Sequence, residues 1–137
     1  MDLTTQQKGI TTEIYVAAYL LSIGYNVSQP LCQDSKYDLI VDVNNKLLRL
    51  QVKTARQVTP DSFTFNCRST TKNSVTHKSR SYQVDEIDYF ATYWNHRVYL
   101  VPVGQCSSQK TLHLTLSIKS NQTYSEDCLA EEVLKSL

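Results

Sequence analysis

The chain has 137 residues, of which 41% are hydrophobic, and it contains only three glycines and three prolines. This size and composition predict a single domain, 1–137, with its own core, and they exclude wholesale disorder and long flexible linkers. The formal net charge of +1 gives no sign of a nucleic-acid partner at the level of the whole chain.

Neither a secretory signal nor a membrane segment is expected. The first residues, MDLTTQQKGITTE, lack a basic region followed by an apolar run. No apolar run approaches the roughly 18 residues of a membrane span. The four cysteines, at positions 32, 67, 106 and 128, form no C-x-x-C pair. We therefore expect reduced thiols in a cytoplasmic protein rather than a zinc site or a disulfide framework.

The first predicted element is an amphipathic helix at 4–23. Thr4 or Thr5 can cap its start, and Gly24 suits the position after its end. Glu13 lies along the predicted apolar stripe, where a carboxylate needs a partner or a metal unless it extends to solvent. The residues that recur at helical spacing, and that we expect to face the core, are Ile10, Ile14, Ala17, Ala18 and Leu21.

A short strand at 25–31 and then a hairpin are predicted next. The hairpin strands, at 37–43 and 47–54, flank Asn44 and Asn45. Asparagine tolerates the positive φ that a two-residue hairpin turn requires. The register that follows from this turn pairs Val43 with Lys46, Val41 with Leu48 and Leu39 with Leu50.

Polar side chains converge at the open end of this hairpin. The register places Asp38 opposite Gln51, and Lys53 lies on the same face two residues later. The opposite face is predicted to be apolar. An exposed Asp–Lys pair on an edge hairpin would account for the same pattern without any site.

The remaining elements complete a mixed fold. They are a strand at 63–67, a solvated loop at 69–81, a hairpin with strands at 89–94 and 97–103, a half-buried strand at 111–118, and a closing helix at 125–137. The predicted fold class is α/β, more closely an α+β domain. Its N-terminal helix packs on a mixed central sheet, and a C-terminal helix closes the chain.

Glu13, Asp38, Gln51 and Lys53 form the candidate catalytic site. Carboxylate and amide oxygens suit a hard cation such as Mg²⁺. A bound cation polarises a phosphoryl oxygen and activates an attached water. An amine beside it can orient that water or balance developing charge. The set therefore fits hydrolysis of a phosphodiester bond.

The same residues resemble the core of the PD-(D/E)XK nucleases. Asp38, then Gln51-Val52-Lys53 on the following strand, preceded by a helix that carries Glu13, match this core over about 4–54. Tyr37 stands where the family pattern has proline, and Gln51 replaces the second acid. The small size, the Q-x-K variant and the polar insertion most resemble bacterial intron-encoded homing endonucleases with a restriction-endonuclease-like fold.

The resemblance implies a metal site and a reaction. Asp38, Gln51 and Glu13 would hold Mg²⁺ or Mn²⁺, with Glu13 restoring the charge that Gln51 lacks, and Lys53 would assist the water. The implied reaction is cleavage of double-stranded DNA to 5′-phosphate and 3′-hydroxyl ends. One active site per chain implies a homo-oligomer, a dimer or a dimer of dimers, to cut both strands.

A basic segment at about 56–82 is predicted to contact DNA. From Arg49 to Arg80 the chain holds seven of its 14 Lys and Arg residues and one acid, Asp61. An ordinary solvated loop would have a similar composition, but this segment directly follows the candidate active strand. The residues with suitable chemistry for phosphates or base edges are Arg56, Arg68, Lys72, Asn73, His77, Lys78 and Arg80.

The sequence thus predicts a site-specific, metal-dependent DNA endonuclease with a homing role. A Holliday junction resolvase would share the chemistry and differ in substrate. A third alternative is a DNA-binding module on a nuclease fold that has lost activity through Gln51.

Overall fold

The computed structural model describes residues 2–72, 77–119 and 121–137; within 70–72 and 77–79 it describes the backbone alone. The secondary structure comprises two α-helices and eleven strands within these ranges. They are α1 (Thr5–Ser22), β1 (Asn26–Ser28), β2 (Leu39–Val43), β3 (Lys46–Val52), β4 (Arg56–Thr59), β5 (Ser62–Asn66), β6 (Arg68–Lys72), β7 (His77–Ser81), β8 (Tyr89–Trp94), β9 (Arg97–Pro102), β10 (Gln109–His113), β11 (Thr123–Tyr124) and α2 (Ala130–Lys135).

The central sheet is mixed, as the sequence predicts. Its strand order is β1-β2-β3-β8-β9. The β3–β8 pairing is parallel, and the pairings of β1 with β2, β2 with β3 and β8 with β9 are antiparallel. A second sheet has the order β11-β10-β5-β4, and β6 pairs with β7 as a separate hairpin.

The core lies on both faces of the central sheet. One cluster joins α1 and α2 to the sheet and includes Val16, Leu50 and Leu134. The other joins the opposite face to the second sheet and includes Phe63 and Phe90. Side chains alternate between the two faces of a strand. Some strands of the central sheet therefore contribute side chains to both clusters, and others contribute to one cluster and present polar side chains on the other face.

Both predicted hairpin turns are confirmed. Asn44 and Asn45 have φ of 52° and 67°, and Asn95 and His96 have φ of 50° and 67°. These values are those of a type I′ turn, whose twist matches that of the flanking strands. The register of β2 and β3 is the predicted one, with Leu39 opposite Leu50 and Val43 opposite Lys46.

The predicted buried face of α1 is wrong for most of its residues, although Ala17 packs against the cluster that contains Val16. Ile10, Ile14 and Leu21 are 50%, 59% and 54% exposed, whereas Val16 and Leu20 are fully buried. The polar residues on the buried face form hydrogen bonds with other elements. The periodicity of apolar residues in the sequence cannot show such hydrogen bonds. The Thr12 hydroxyl lies 3.0 Å from that of Thr54, and the Tyr19 hydroxyl donates to Glu131. These contacts fix the rotation of the helix.

Three further expectations are corrected. The segment 69–81, predicted as a loop, contains most of the β6–β7 hairpin, whose strands lack the apolar alternation that marks a strand. The strand predicted at 111–118 ends at His113, and Leu116 and Ile118 are exposed. The closing helix is a 3₁₀ turn followed by the short α2, because Leu129 is extended and bridges to Tyr99 of β9.

Two other features bear on the class of protein. Within the described parts of the chain, no helix is long and apolar enough to cross a membrane. All four cysteines are free thiols, as the spacing predicts.

Candidate active site

The site begins where Asp38 leads into β2. Its backbone N–H donates to the Leu50 carbonyl at 2.8 Å, which extends the predicted pairing by one residue. Its carboxylate Oδ2 accepts the Val52 N–H at 2.8 Å. The side chain is half-buried, and burial raises its pKa, opposed by the Val52 hydrogen bond and the nearby Lys53 ammonium. The carboxylate is therefore fixed across the end of the hairpin.

Gln51 and Lys53 alternate with the buried Leu50 and Val52 along β3. They therefore project from the face opposite α1, as predicted. The Gln51 side chain is half-buried, and its amide makes no hydrogen bond to any residue that the structure describes, which leaves its oxygen available as a ligand.

Lys53 lies in a partly buried position held from several sides. Its backbone N–H donates to the Ala91 carbonyl at 2.9 Å, and its carbonyl accepts the Thr92 hydroxyl at 2.7 Å. Its ammonium Nζ donates to the Arg68 carbonyl at 3.0 Å. Burial lowers the pKa of Lys53, and the Asp38 carboxylate opposes that effect. The backbone bonds to β8 therefore fix the base of a side chain whose charge faces Asp38.

Glu13 reaches the site from α1. It lines a cleft of about 530 Å³ together with Asp38, between the first half of the helix and the segment 29–38. Burial, followed by repulsion from Asp38, raises the pKa of Glu13 from 4.5 to about 7. The contact between Thr12 and Thr54 ties this part of the helix to the end of β3. Glu13 and Asp38 therefore line the same cleft, and their role as metal ligands stays a prediction.

The donor set fits a divalent cation by its chemistry. The carboxylates of Glu13 and Asp38 are both partly buried and line the same cleft, and burial raises the pKa of both. A cation between such groups would favour their ionised forms. No group of three or more His, Cys, Asp and Glu side chains among the described residues could hold a metal. The Gln51 amide oxygen is the further ligand that the sequence predicts.

The predicted DNA-contacting residues have different environments. Arg56 is exposed on β4. Arg68 is half-buried, and its guanidinium donates to the Ser81 hydroxyl at 3.2 Å. Arg80 is exposed and forms two hydrogen bonds with the Glu86 carboxylate, at 2.9 and 2.7 Å. Lys72, His77 and Lys78 lie on β6 and β7 by their backbone, their side chains are not described, and Asn73 lies outside the described residues.

Sequence reasoning missed two features around the site. The Tyr82 ring lies 5.3 Å from the Lys53 ammonium, measured to the ring centroid. Arg49, which we counted with the basic segment, instead pairs with Asp88, with 3.1 Å between Nε and Oδ2. The same carboxylate accepts the Arg49 N–H at 2.7 Å, so it secures the parallel pairing of β3 with β8. No signal in one sequence marks such long-range pairs.

Comparison with known proteins agrees with this geometry. The family model described as PD-(D/E)XK endonuclease matches residues 3–128. A solved structure entitled "The structure of a bacterial homing endonuclease: I-Ssp6803I" superposes with a TM-score of 0.75 over 98% of this chain and 95% of that chain, at 23% sequence identity. At this identity the likeness shows the fold. The search of curated proteins found no match. The match to the family model covers most of the sequence, and we conclude that the chain belongs to the PD-(D/E)XK endonuclease family.

Proposed function

We propose that this nuclease is a site-specific, Mg²⁺-dependent DNA endonuclease with a homing role. The observation that carries the proposal is the approach of Glu13 to Asp38 beside the Lys53 ammonium. Glu13 and Asp38 line one cleft, Asp38 interacts with the Lys53 ammonium, and all three side chains are partly buried. The fold it shares with a protein described as a bacterial homing endonuclease supports the choice of role.

Each residue has a distinct part in the proposed reaction. Asp38, Glu13 and the Gln51 amide would hold Mg²⁺ or Mn²⁺, which when bound polarises the phosphate and activates a water. The hydrogen bond from Val52 keeps the Asp38 carboxylate turned toward the site. Lys53 would hold the attacking water or balance the charge that develops on the phosphate.

DNA contact is proposed for the basic segment. Arg56 is exposed and can exchange solvent for a phosphate or a guanine edge. Arg80 is also exposed, and its guanidinium, which bonds to the Glu86 carboxylate and the Ser81 carbonyl, can exchange these partners for the same groups. Arg68 begins β6, and its carbonyl accepts a hydrogen bond from the Lys53 ammonium at 3.0 Å. Contacts here would join DNA binding directly to the site. Cleavage of both strands would require at least two chains, and we propose a homo-oligomer.

One cleavage assay tests the proposal. Long duplex DNA and a four-way junction are each incubated with the protein, with and without Mg²⁺. We expect discrete cuts in the duplex that depend on Mg²⁺ and on Asp38. Cutting of the junction in preference to duplex of any sequence would assign a Holliday junction resolvase. Tight binding with no cleavage of either DNA, in Mg²⁺ or Mn²⁺, would assign a DNA-binding module that has lost activity.

A further inference from the structure

The two ends of the β6–β7 hairpin converge on Lys53. Arg68 is the first residue of β6, and its carbonyl accepts a hydrogen bond from the Lys53 ammonium at 3.0 Å. Tyr82 directly follows β7, and its ring centroid lies 5.3 Å from the same nitrogen. Arg68 and Ser81 are opposite one another in the hairpin register. Both contacts on the ammonium therefore come from the base of one hairpin.

The Tyr82 ring is itself held in place. It packs edge-on against Phe90, with 5.5 Å between ring centroids and 86° between ring planes. Phe90 lies on β8 beside Gln51 of β3, so the ring rests on the central sheet. The ring therefore lies between Phe90 of the central sheet and the Lys53 ammonium.

A lysine in a nuclease site needs such support. Its four-carbon chain is flexible, and its ammonium is a compact charge with three donors. The Arg68 carbonyl occupies one donor, and the face of an aromatic ring attracts the charge without occupying another. The remaining donors stay available for Asp38, a water or a phosphate oxygen.

We propose that Tyr82 is a positioning residue that, with the Arg68 carbonyl, holds the Lys53 ammonium for cleavage. The hairpin proposed to contact DNA then also sets the place of the catalytic lysine. A shift of the hairpin on DNA would move both of its contacts to Lys53 together. This inference rests on the proposed function and deepens it.

The kinetic test compares three variants on the long duplex DNA that the wild-type protein cuts. Tyr82→Phe keeps the ring, and Tyr82→Leu removes it. Tyr89→Leu is the matched control, because Tyr89 is another half-buried tyrosine and packs in the α1 cluster. We expect Tyr82→Leu to lower the single-turnover rate about 10- to 30-fold. Its affinity for DNA in Ca²⁺ should stay within about two-fold, because no binding contact is removed. Tyr82→Phe and the control should keep near-normal rates.

A second readout uses the metal-free protein without DNA. The ε-methylene protons of Lys53 next to the ring should resonate upfield in the NMR spectrum of ¹³C-lysine-labelled protein, with Lys53→Gln giving the assignment. The shift should persist in Tyr82→Phe and disappear in Tyr82→Leu; Tyr82→Met is a second ring-free variant should the leucine variant fail to fold.

An unchanged shift without the ring, or a cleavage rate of Tyr82→Leu equal to that of wild type, would overturn the proposal. If the wild-type protein cuts no DNA, the proposed function fails, and the NMR comparison still decides whether Tyr82 holds Lys53.

Discussion

Replacing Glu13 with glutamine should stabilise the metal-free protein. The amide has nearly the shape of the carboxylate, so packing in the cleft is kept. What the variant loses is a negative charge that is partly buried and repelled by Asp38. A cation between the two acids would remove the same repulsion in the wild-type protein, which makes the effect specific to the metal-free state.

The size of the effect follows from the shift in pKa. Glu13 has a pKa of about 7 in the folded protein against 4.5 as the reference. At about 1.4 kcal/mol per pKa unit, this difference gives a ceiling of about 3 kcal/mol. Glu13 is only half-buried, and solvent screening reduces the value, so we expect about 1 kcal/mol.

The dependence on pH has a definite sign. The folded protein binds the Glu13 proton more tightly than the unfolded chain does, because the pKa is raised on folding. The penalty is therefore absent well below pH 4.5, grows as the pH rises from 4.5 to about 7, and is complete above that range. Glu13→Gln cannot lose a proton, so its free energy of unfolding should lack this decline.

Urea unfolding in EDTA measures the difference in the free energy of unfolding between Glu13→Gln and the wild-type protein. Trp94, the single tryptophan, stacks on Phe63 with 5.2 Å between ring centroids, so its fluorescence reports loss of the core. The variant should exceed the wild type near pH 8, and the gap should shrink toward pH 5. Glu132→Gln, which neutralises an exposed acid on α2, is the control and should show no such gap. Equal stability near pH 8, or a gap independent of pH, would refute the reasoning.

Four further outcomes are expected. Asp38→Asn should abolish cleavage of long duplex DNA while retaining affinity for it in Ca²⁺, and cleavage at the wild-type rate would remove Asp38 from the site. Gln51→Glu should stay active with an altered Mg²⁺-to-Mn²⁺ rate ratio, whereas Gln51→Leu should be inactive in the same assay. Among single substitutions of Arg56 and Arg80, at least one should change the base preference of the cut site with near-normal binding to random duplex; uniform loss of affinity, measured by its salt dependence, would indicate phosphate contacts instead. Sedimentation of the protein with DNA should show two or more chains per duplex, and a monomer at micromolar concentration, free and bound, would contradict cleavage of both strands by paired sites.

The parts of the fold set by local chemistry could be predicted from the sequence. Asn44-Asn45 fixed the turn, the turn fixed the register, and the register placed Asp38 opposite Gln51 with Lys53 on the same face. These steps need only the conformational freedom of asparagine and the alternation of side chains along a strand.

The parts that depend on distant partners could not be predicted. The buried face of α1 includes Thr12, which is acceptable there because its hydroxyl meets Thr54. The helical spacing of apolar residues instead predicts that Ile10 and Ile14 lie on the buried face, and both are exposed. Tyr82 likewise gives no signal in the sequence, because its contact with Lys53 exists only once the β6–β7 hairpin has formed.

The two acids of the site would have opposite fates if selection for cleavage were lifted. Asp38 completes the strand pairing through the Val52 N–H, and leaving that donor bare in the sheet would cost about 1–3 kcal/mol. Glu13 is expected to do the reverse, because burial and repulsion from Asp38 disfavour its ionised form in the metal-free protein. A lineage drifting under selection for folding alone would therefore keep Asp38 and discard Glu13. Under the metal-binding role proposed for Glu13, its presence would therefore distinguish an active enzyme better than that of Asp38.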